Sequence, residues 1–261
     1  MSRSFILIVL VFVFLRFDPA LAFTLCSSTS SGMAGWQTKL LKFKLNPTNC
    51  PANINDIVDT AMALWNSAPT SNLIIKREGT STEVPANLVD PNYVATDVAV
   101  IACDNTFSTN FGTNFENSVA GVGVCRIQGG AITRGYLILN TQAGGTANIS
   151  TFSTTRQHIT VAHEIGHVIG LGHSSDQSAM MFYDITSKTK LGLAQDDIDG
   201  LTYLYPRSEI SGDLPFGCGS VSNINQKPPS GPTALLWLFP FFFIATLRIL
   251  SRGKFSHQAH L

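Results

Sequence analysis

Apolar and charged residues alternate near the start of the main body of the chain. In residues 41–45 three apolar side chains alternate with two lysines, a period of two that predicts a half-buried strand. The apolar positions of residues 54–65 instead fall on one face of a helix, with Asn53 or Asn55 as its cap and Pro69 beyond its end. The pattern therefore predicts a strand followed by a helix.

Shorter apolar runs continue the pattern beyond this helix. Residues 78–93 are polar, contain two prolines and are predicted as a loop. Two glycines within residues 128–130 predict a tight hairpin turn between neighbouring strands. The remaining predicted elements are strands at residues 73–77, 98–102, 119–127 and 132–139, and helices at residues 153–171 and 196–205.

The first 22 residues have the pattern of a secretory signal peptide. Arg3 gives a short positive region, residues 5–15 are an unbroken apolar run, and residues 20–22 form an Ala-Leu-Ala cleavage site. An N-terminal membrane anchor is the weaker alternative, because this apolar run is too short to span a bilayer. We therefore expect residues 1–22 to be removed on export, with the mature chain beginning near Phe23.

A linker and a second apolar segment follow the predicted domain, which we place at residues 23–207. Residues 208–232 are rich in glycine and proline, and residues 233–250 are strongly apolar although Pro240 interrupts them. This segment has about the minimum length for a transmembrane helix, and basic residues in the 251–261 tail would stay in the cytoplasm. A buried core helix is the alternative, and a GPI signal fits poorly because the tail is polar.

The composition gives no sign of a strongly charged surface. The chain has 261 residues, a formal net charge of zero and an isoelectric point near 7.0. We therefore expect no nucleic-acid partner, since such proteins carry a basic footprint.

Residues 163–173 are the most informative stretch, and they contain three of the six histidines of the chain. His163 and His167 are four residues apart, which places both imidazoles on one face of a helix, where they can bind one tetrahedral metal, usually zinc. Glu164 is placed to take a proton from a metal-bound water. Gly170 lets the chain turn back so that His173 supplies a third ligand and leaves one position open, as in catalytic zinc sites.

Chance is a poor explanation for this pattern. On the order of one chain in 10⁵ with this composition would contain it by accident. The stretch resembles the metzincin zinc peptidases, whose motif H-E-x-x-H-x-x-G-x-x-H precedes a Met-turn. Ser174, Met181 and the acidic stretch at residues 193–200 are similar to the matrixin branch, the matrix-metalloproteinase-like enzymes. Tyr183 stands where that branch has proline. Because this residue helps to form the pocket for the side chain after the scissile bond, the resemblance does not predict the shape of that pocket.

The resemblance implies both a fold and a set of residue roles. The fold is α+β, with a twisted, mostly parallel five-stranded sheet, two long helices above the cleft and a small C-terminal subdomain with one helix. By the same resemblance, one zinc is held by His163, His167 and His173. Glu164 is the general base that activates the zinc-bound water, and Met181 is the Met-turn methionine.

Further expectations concern the cleft strand and other metals. In matrixins an edge strand pairs with an extended substrate, and residues 119–127 fit that place, although an ordinary core strand fits equally well. Animal matrixins hold a second zinc with upstream histidines. We expect that site to be absent, because residues 23–157 contain no histidine. Calcium stays an open second metal, because oxygen ligands leave weak sequence traces. His158 lies off the ligand face and is interpreted as a surface histidine.

Five cysteines in an exported chain suggest two disulfides and one cysteine left over. Our preferred pairing is Cys26 with Cys50 and Cys103 with Cys125, although four cysteines allow three connectivities and the sequence does not choose between them. Cys218 precedes the apolar segment in an order that resembles bacterial C-terminal sorting signals and would suit a Gram-negative source.

The pattern as a whole predicts an exported or surface-anchored zinc endopeptidase that acts as a monomer on protein or peptide substrates. A metal-binding module without activity is one alternative, against which Glu164 counts because binding needs no base. A zinc hydrolase of a non-peptide substrate is the other, and only analogy of fold counts against it.

Overall fold

The computed structural model of the protein describes residues 23–26 and 34–207. Within these two ranges no helix is both long enough and apolar enough to cross a membrane. Four predicted segments lie outside the described residues: the signal peptide (1–22), the linker with Cys218 (208–232), the apolar segment (233–250) and the basic tail (251–261).

A six-stranded sheet forms the centre of the described domain. Its strands are β1 (Ala34–Trp36), β2 (Leu40–Leu45), β3 (Ile74–Thr80), β4 (Ala99–Asp104), β5 (Gly121–Gln128) and β6 (Ala131–Asn140). The order β1-β6-β4-β2-β3 is parallel throughout, and β5 pairs antiparallel with β6. The predicted α+β fold with a mostly parallel sheet is confirmed. Five strands were predicted, and the additional one is β1. It was missed because three residues are too few to show alternation.

Three long and three short α-helices accompany the sheet in the described residues. They are α1 (Ile54–Asn66), α2 (Pro85–Val89), α3 (Phe107–Phe111), α4 (Phe115–Ser118), α5 (Thr154–Val168) and α6 (Gln195–Leu204). The long helices α1, α5 and α6 were predicted, although α5 ends three residues early. The short helix α2 corrects the prediction of a loop at residues 78–93, and β3 also extends into that region.

The sheet has an apolar layer on each face. Ala99, Ile101 and Cys103 of β4 face the main core, which they share with the buried sides of α1 and α5. Val100 and Ala102 face a smaller cluster that includes residues of α2 and α3. Because β4 is buried on both faces, its sequence is a continuous apolar run without alternation.

Two tryptophans attach α5 to the elements around it. The indole N–H of Trp65, on the predicted buried face of α1, donates to the carbonyl of Ala162 at 2.8 Å. The indole N–H of Trp36, on β1, donates to the carbonyl of Val168 at 2.9 Å. Asn53, one of the two predicted caps, occupies the N-cap position of α1, although its side chain makes no capping hydrogen bond.

The predicted hairpin joins β5 to β6. Gly129 and Gly130 have φ angles of 62° and 83°, the positive values that two-residue hairpin turns require. On its other side β5 pairs with no strand of the described chain. It is therefore an edge strand rather than a strand in the middle of the sheet.

The two disulfides correct the preferred pairing. Cys26 is bonded to Cys125 and Cys50 to Cys103. The chain leaves β2 beside β4, where the Asn46 N–H donates to the β4 backbone at 2.8 Å, so Cys50 arrives next to Cys103. No predicted strand or helix contains Cys26, so its position relative to the sheet could not be predicted. In the structure it lies beside β5.

Candidate active site

Helix α5 ends where the chain must turn back. The hydroxyl of Ser153 caps its first turn by accepting a backbone N–H at 3.4 Å. At the other end Gly170 has a φ of 110°, and the N–H of Leu171 reaches the carbonyl of Gly166 at 2.9 Å, which closes a Schellman turn. Glycine suits this position because residues with a Cβ rarely adopt that φ.

The turn brings the three predicted ligands together. One ring nitrogen from each of His163, His167 and His173 lies within 4.8 Å of the other two. The ring centroids are 4.8–5.4 Å apart. Across residues 23–26 and 34–207 this is the one group of three or more His, Cys, Asp or Glu side chains placed to hold a metal ion.

Backbone carbonyls fix the orientation of two of the rings. His163 Nδ1 lies 2.8 Å from the carbonyl of Met180, and His167 Nδ1 lies 2.9 Å from the carbonyl of Leu171. A carbonyl only accepts, so each Nδ1 must carry the proton. Each Nε2 is then left with a lone pair for a metal.

The site favours neutral imidazoles. Burial, assisted by the neighbouring His167, lowers the pKa of His163 to about 3. Burial lowers the pKa of His167 to about 4 and also lowers that of His173. Unprotonated imidazole is the form that binds metal, and three such nitrogens fit zinc with one coordination position open.

Glu164 lies beside the histidines with one carboxylate oxygen already held. Its side chain is buried, and Oε2 accepts a hydrogen bond from the Gly123 N–H of β5 at 2.7 Å. Burial raises the pKa of Glu164 to about 7, although the hydrogen bond from Gly123 opposes the rise. A carboxylate with this pKa can accept and release a proton near neutral pH.

Two glycines of β5 make this contact possible. A Cβ at Gly123 would collide with the main-chain carbonyl of Glu164, and a Cβ at Gly121 would lie 3.0 Å from the Glu164 Cγ. The strand therefore lies directly against α5, which explains why glycine stands at these two positions.

The Met-turn is held from below by a carboxylate that the sequence pattern did not reveal. Asp197 is buried, and its two oxygens accept the N–H groups of Met180 (2.7 Å), Met181 (3.0 Å) and Ala194 (2.8 Å). Met181 packs against Gly166, at which a Cβ would lie 3.1 Å from the Met181 Cε. In the sequence Asp197 was visible only as part of the acidic stretch at residues 193–200.

His158 corrects one expectation. Its side chain is 16% exposed, and its Nε2 lies 3.5 Å from Asp56 Oδ2 on α1. The packing of α1 against α5 covers this residue, which the pattern of α5 alone could not show. It lies off the ligand face, as predicted.

A cleft of about 700 Å³ opens in front of the histidines. One wall is β5 with the residues before it, and the other includes Tyr183, which is 69% exposed, and Ile185. Arg156 and Phe152 also line the cleft, and the guanidinium carbon of Arg156 lies 3.9 Å from the ring centroid of Phe152. The cleft thus reaches from the histidines along the edge strand.

The mostly parallel sheet and the group of three histidines are those expected of a metzincin-type zinc peptidase domain. Residues 114–206 match the family described as Matrixin. This part of the chain is therefore similar to the matrixin zinc peptidases, and the match covers less than half of the chain.

Several named relatives match shorter stretches. Metalloendoproteinase 1 of Glycine max is 61% identical over 44 residues, which cover 16% of this chain and 14% of the relative. Matrix metalloproteinase-27 of Tupaia belangeri is 45% identical over 83 residues, 26% of this chain and 16% of the relative. Interstitial collagenase of Bos taurus is 36% identical over 76 residues, 27% of this chain and 16% of the relative. The chain thus covers less than a fifth of each of these three relatives.

Proposed function

We propose that this protein is a zinc-dependent endopeptidase that hydrolyses peptide bonds of exported proteins or peptides. The observation that carries the proposal is the joint geometry of the three histidines and Glu164. Three neutral imidazoles converge on one point, and a buried carboxylate with a pKa near 7 lies beside them.

Each residue has a defined role in this proposal. His163, His167 and His173 hold the zinc, which when bound supplies a Lewis acid that activates water and polarises the scissile carbonyl. Because Gly123 occupies Oε2 of Glu164, Oε1 is the oxygen that takes the proton of the attacking water. Glu164 then delivers that proton to the leaving amine.

The free edge of β5 supports an extended peptide as the substrate. An edge strand presents unpaired N–H and C=O groups, and a substrate strand can add to them. The side chain after the scissile bond would enter the cleft beside Tyr183.

The two disulfides support export, because such bonds persist in oxidising compartments. By the sequence pattern alone, the proposal places a monomeric catalytic domain outside the cytoplasm, attached to a membrane through residues 233–250. Cell fractionation tests this attachment, and a wholly soluble protein of full mass would contradict it. Calcium stays an open expectation.

Peptide cleavage after removal and return of the metal tests the proposed activity. The purified protein is incubated with a mixed peptide library, and mass spectrometry identifies internal cuts. A chelator should stop cleavage, and one equivalent of zinc should restore it. Zinc-loaded protein that makes no internal cut at neutral pH would be a binding module instead.

A further inference from the structure

The three metal-binding rings differ in how they are oriented. His163 and His167 each bind a backbone carbonyl through Nδ1. Neither ring nitrogen of His173 has a hydrogen-bond partner in the described part of the chain, and this ring is the most exposed of the three. The direction of the His173 ring therefore depends on how firmly its own backbone is held.

Residues 23–26, which we call the N-terminal brace, hold that backbone. The N–H of Gly172 donates to the carbonyl of Thr24 at 2.7 Å, and the N–H of Cys26 donates to the carbonyl of Gly170 at 2.9 Å. The hydroxyl of Thr24 also donates to the carbonyl of His173 at 2.7 Å. Thr24 thus contacts the backbone both before and after the Cα atom of His173, at the Gly172 N–H and at the His173 carbonyl.

The brace also affects the second ligand. Leu25 lies opposite Leu171 in an antiparallel bridge, and Leu171 provides the carbonyl that orients the His167 ring. One short segment therefore supports the backbone positions on which two of the three rings depend.

The brace fits closely against the loop. A Cβ at Gly172 would lie 2.7 Å from the carbonyl oxygen of Leu25, so only glycine allows the approach. At the start of the brace, the Phe23 ring packs beside that of Tyr203 on α6, with centroids 5.7 Å apart.

A disulfide attaches the other end of the brace to the cleft. Cys26 is bonded to Cys125 on β5, two residues after Gly123, whose N–H holds Glu164. The other disulfide, between Cys50 and Cys103, joins the segment before α1 to β4, and neither cysteine belongs to the loop that carries His173.

We propose that the N-terminal brace, fixed by the Cys26–Cys125 disulfide, is a positioning element for the third metal ligand, and that Thr24 is its principal positioning residue. The inference rests on the proposed function in that His173 must bind the metal. Loss of the brace then weakens metal binding and distorts the coordination, beyond any effect on the stability of the fold.

The two disulfides provide a matched comparison. The double variant Cys26→Ser/Cys125→Ser opens a loop of 99 residues, and Cys50→Ser/Cys103→Ser opens one of 53. Because loop-closure entropy grows slowly with length, both lose a similar constraint on the unfolded chain. Competition with a chromophoric chelator measures zinc affinity in the full-length protein. We expect at least about tenfold weaker zinc binding in the first variant, the lower end for lost orienting groups, and little change in the second. Equal losses would overturn the proposal.

Single substitutions at Thr24 test the brace without touching a disulfide. Thr24→Val should weaken zinc binding about tenfold and change the visible spectrum of the cobalt-substituted protein, which reports coordination geometry. Thr24→Ser keeps the hydroxyl and should restore both. Unchanged affinity and spectrum in Thr24→Val would refute the role of Thr24.

His173→Ala separates the two proposals. If it loses metal while the brace variants keep it, the brace inference fails and the proposed metal site stands. If His173→Ala itself binds zinc as tightly as the wild-type protein, the metal site is misassigned and both fail.

Discussion

Asp197 and His163 hold the same residue of the Met-turn from opposite sides. The Asp197 carboxylate accepts the N–H of Met180 at 2.7 Å, and the carbonyl of Met180 lies 2.8 Å from His163 Nδ1. A buried acid on α6 therefore helps to orient the His163 ring, a proposed metal ligand on α5, through one intervening residue.

Replacing Asp197 should therefore affect both stability and metal binding. Asp197→Ala leaves three N–H groups without their acceptor, two of them buried and one partly buried, and a lost acceptor costs about 1–3 kcal/mol for a buried group. We expect the free energy of unfolding to fall by at least about 3 kcal/mol, as measured by urea titration. The exposed Asp199 on the same helix is the control, and Asp199→Ala should change stability by less than about 0.5 kcal/mol. Similar losses in both variants would contradict the role of Asp197.

Glu164→Ala should abolish hydrolysis while zinc stays bound. The carboxylate is the proposed base and lies outside the ligand set, so its removal should lower kcat by at least about 10²-fold. Elemental analysis beside a peptide-cleavage assay checks both halves. If zinc disappears together with activity, Glu164 has a different role.

His173→Ala should release the metal, because two protein ligands remain where zinc sites normally have three or four. Loss of a group that only orients a ligand weakens metal binding by up to about 100-fold. We expect the loss of a ligand itself to lower zinc affinity by more than that. Dialysis against a mild chelator followed by metal analysis measures it. Stoichiometric zinc after dialysis would show that another group supplies the third ligand.

Gly123→Ala should separate β5 from α5. The new methyl group would collide with the Glu164 carbonyl, and the strand must move away or lose its hydrogen bond to Oε2. Overpacking of this kind costs about 1–3 kcal/mol, and peptide cleavage should fall with it. Gly192→Ala is the matched control, since a Cβ there meets nothing within 4 Å. Full activity in Gly123→Ala would show that the contact is dispensable.

The grouping of the three histidines could be predicted because its geometry is local. His163 and His167 are one helical turn apart, and a single glycine with positive φ returns His173 to them. Alternation and helical periodicity located β2, α1 and the β5–β6 hairpin for the same reason, since each depends on neighbours in sequence.

The supporting groups could not be predicted, because most of them are backbone atoms. Every residue has a carbonyl and nearly every one an N–H, so nothing in the sequence marks Met180, Leu171 or Gly123 as partners of the site. The predicted disulfide pairing was wrong for a similar reason, because Cys26 reaches Cys125 through backbone contacts between the N-terminal brace and the loop after α5.

The direct contact between β5 and α5 limits how the cleft can change its width. Gly121 and Gly123 leave no space between strand and helix, and Cys125 ties the same strand to the N-terminal brace. The opposite wall carries Tyr183 and Asp184, which are both exposed. If the protein binds an extended peptide as proposed, β5 would set the register of that peptide, and side chains of different bulk would be accommodated on the side of Tyr183 and Asp184.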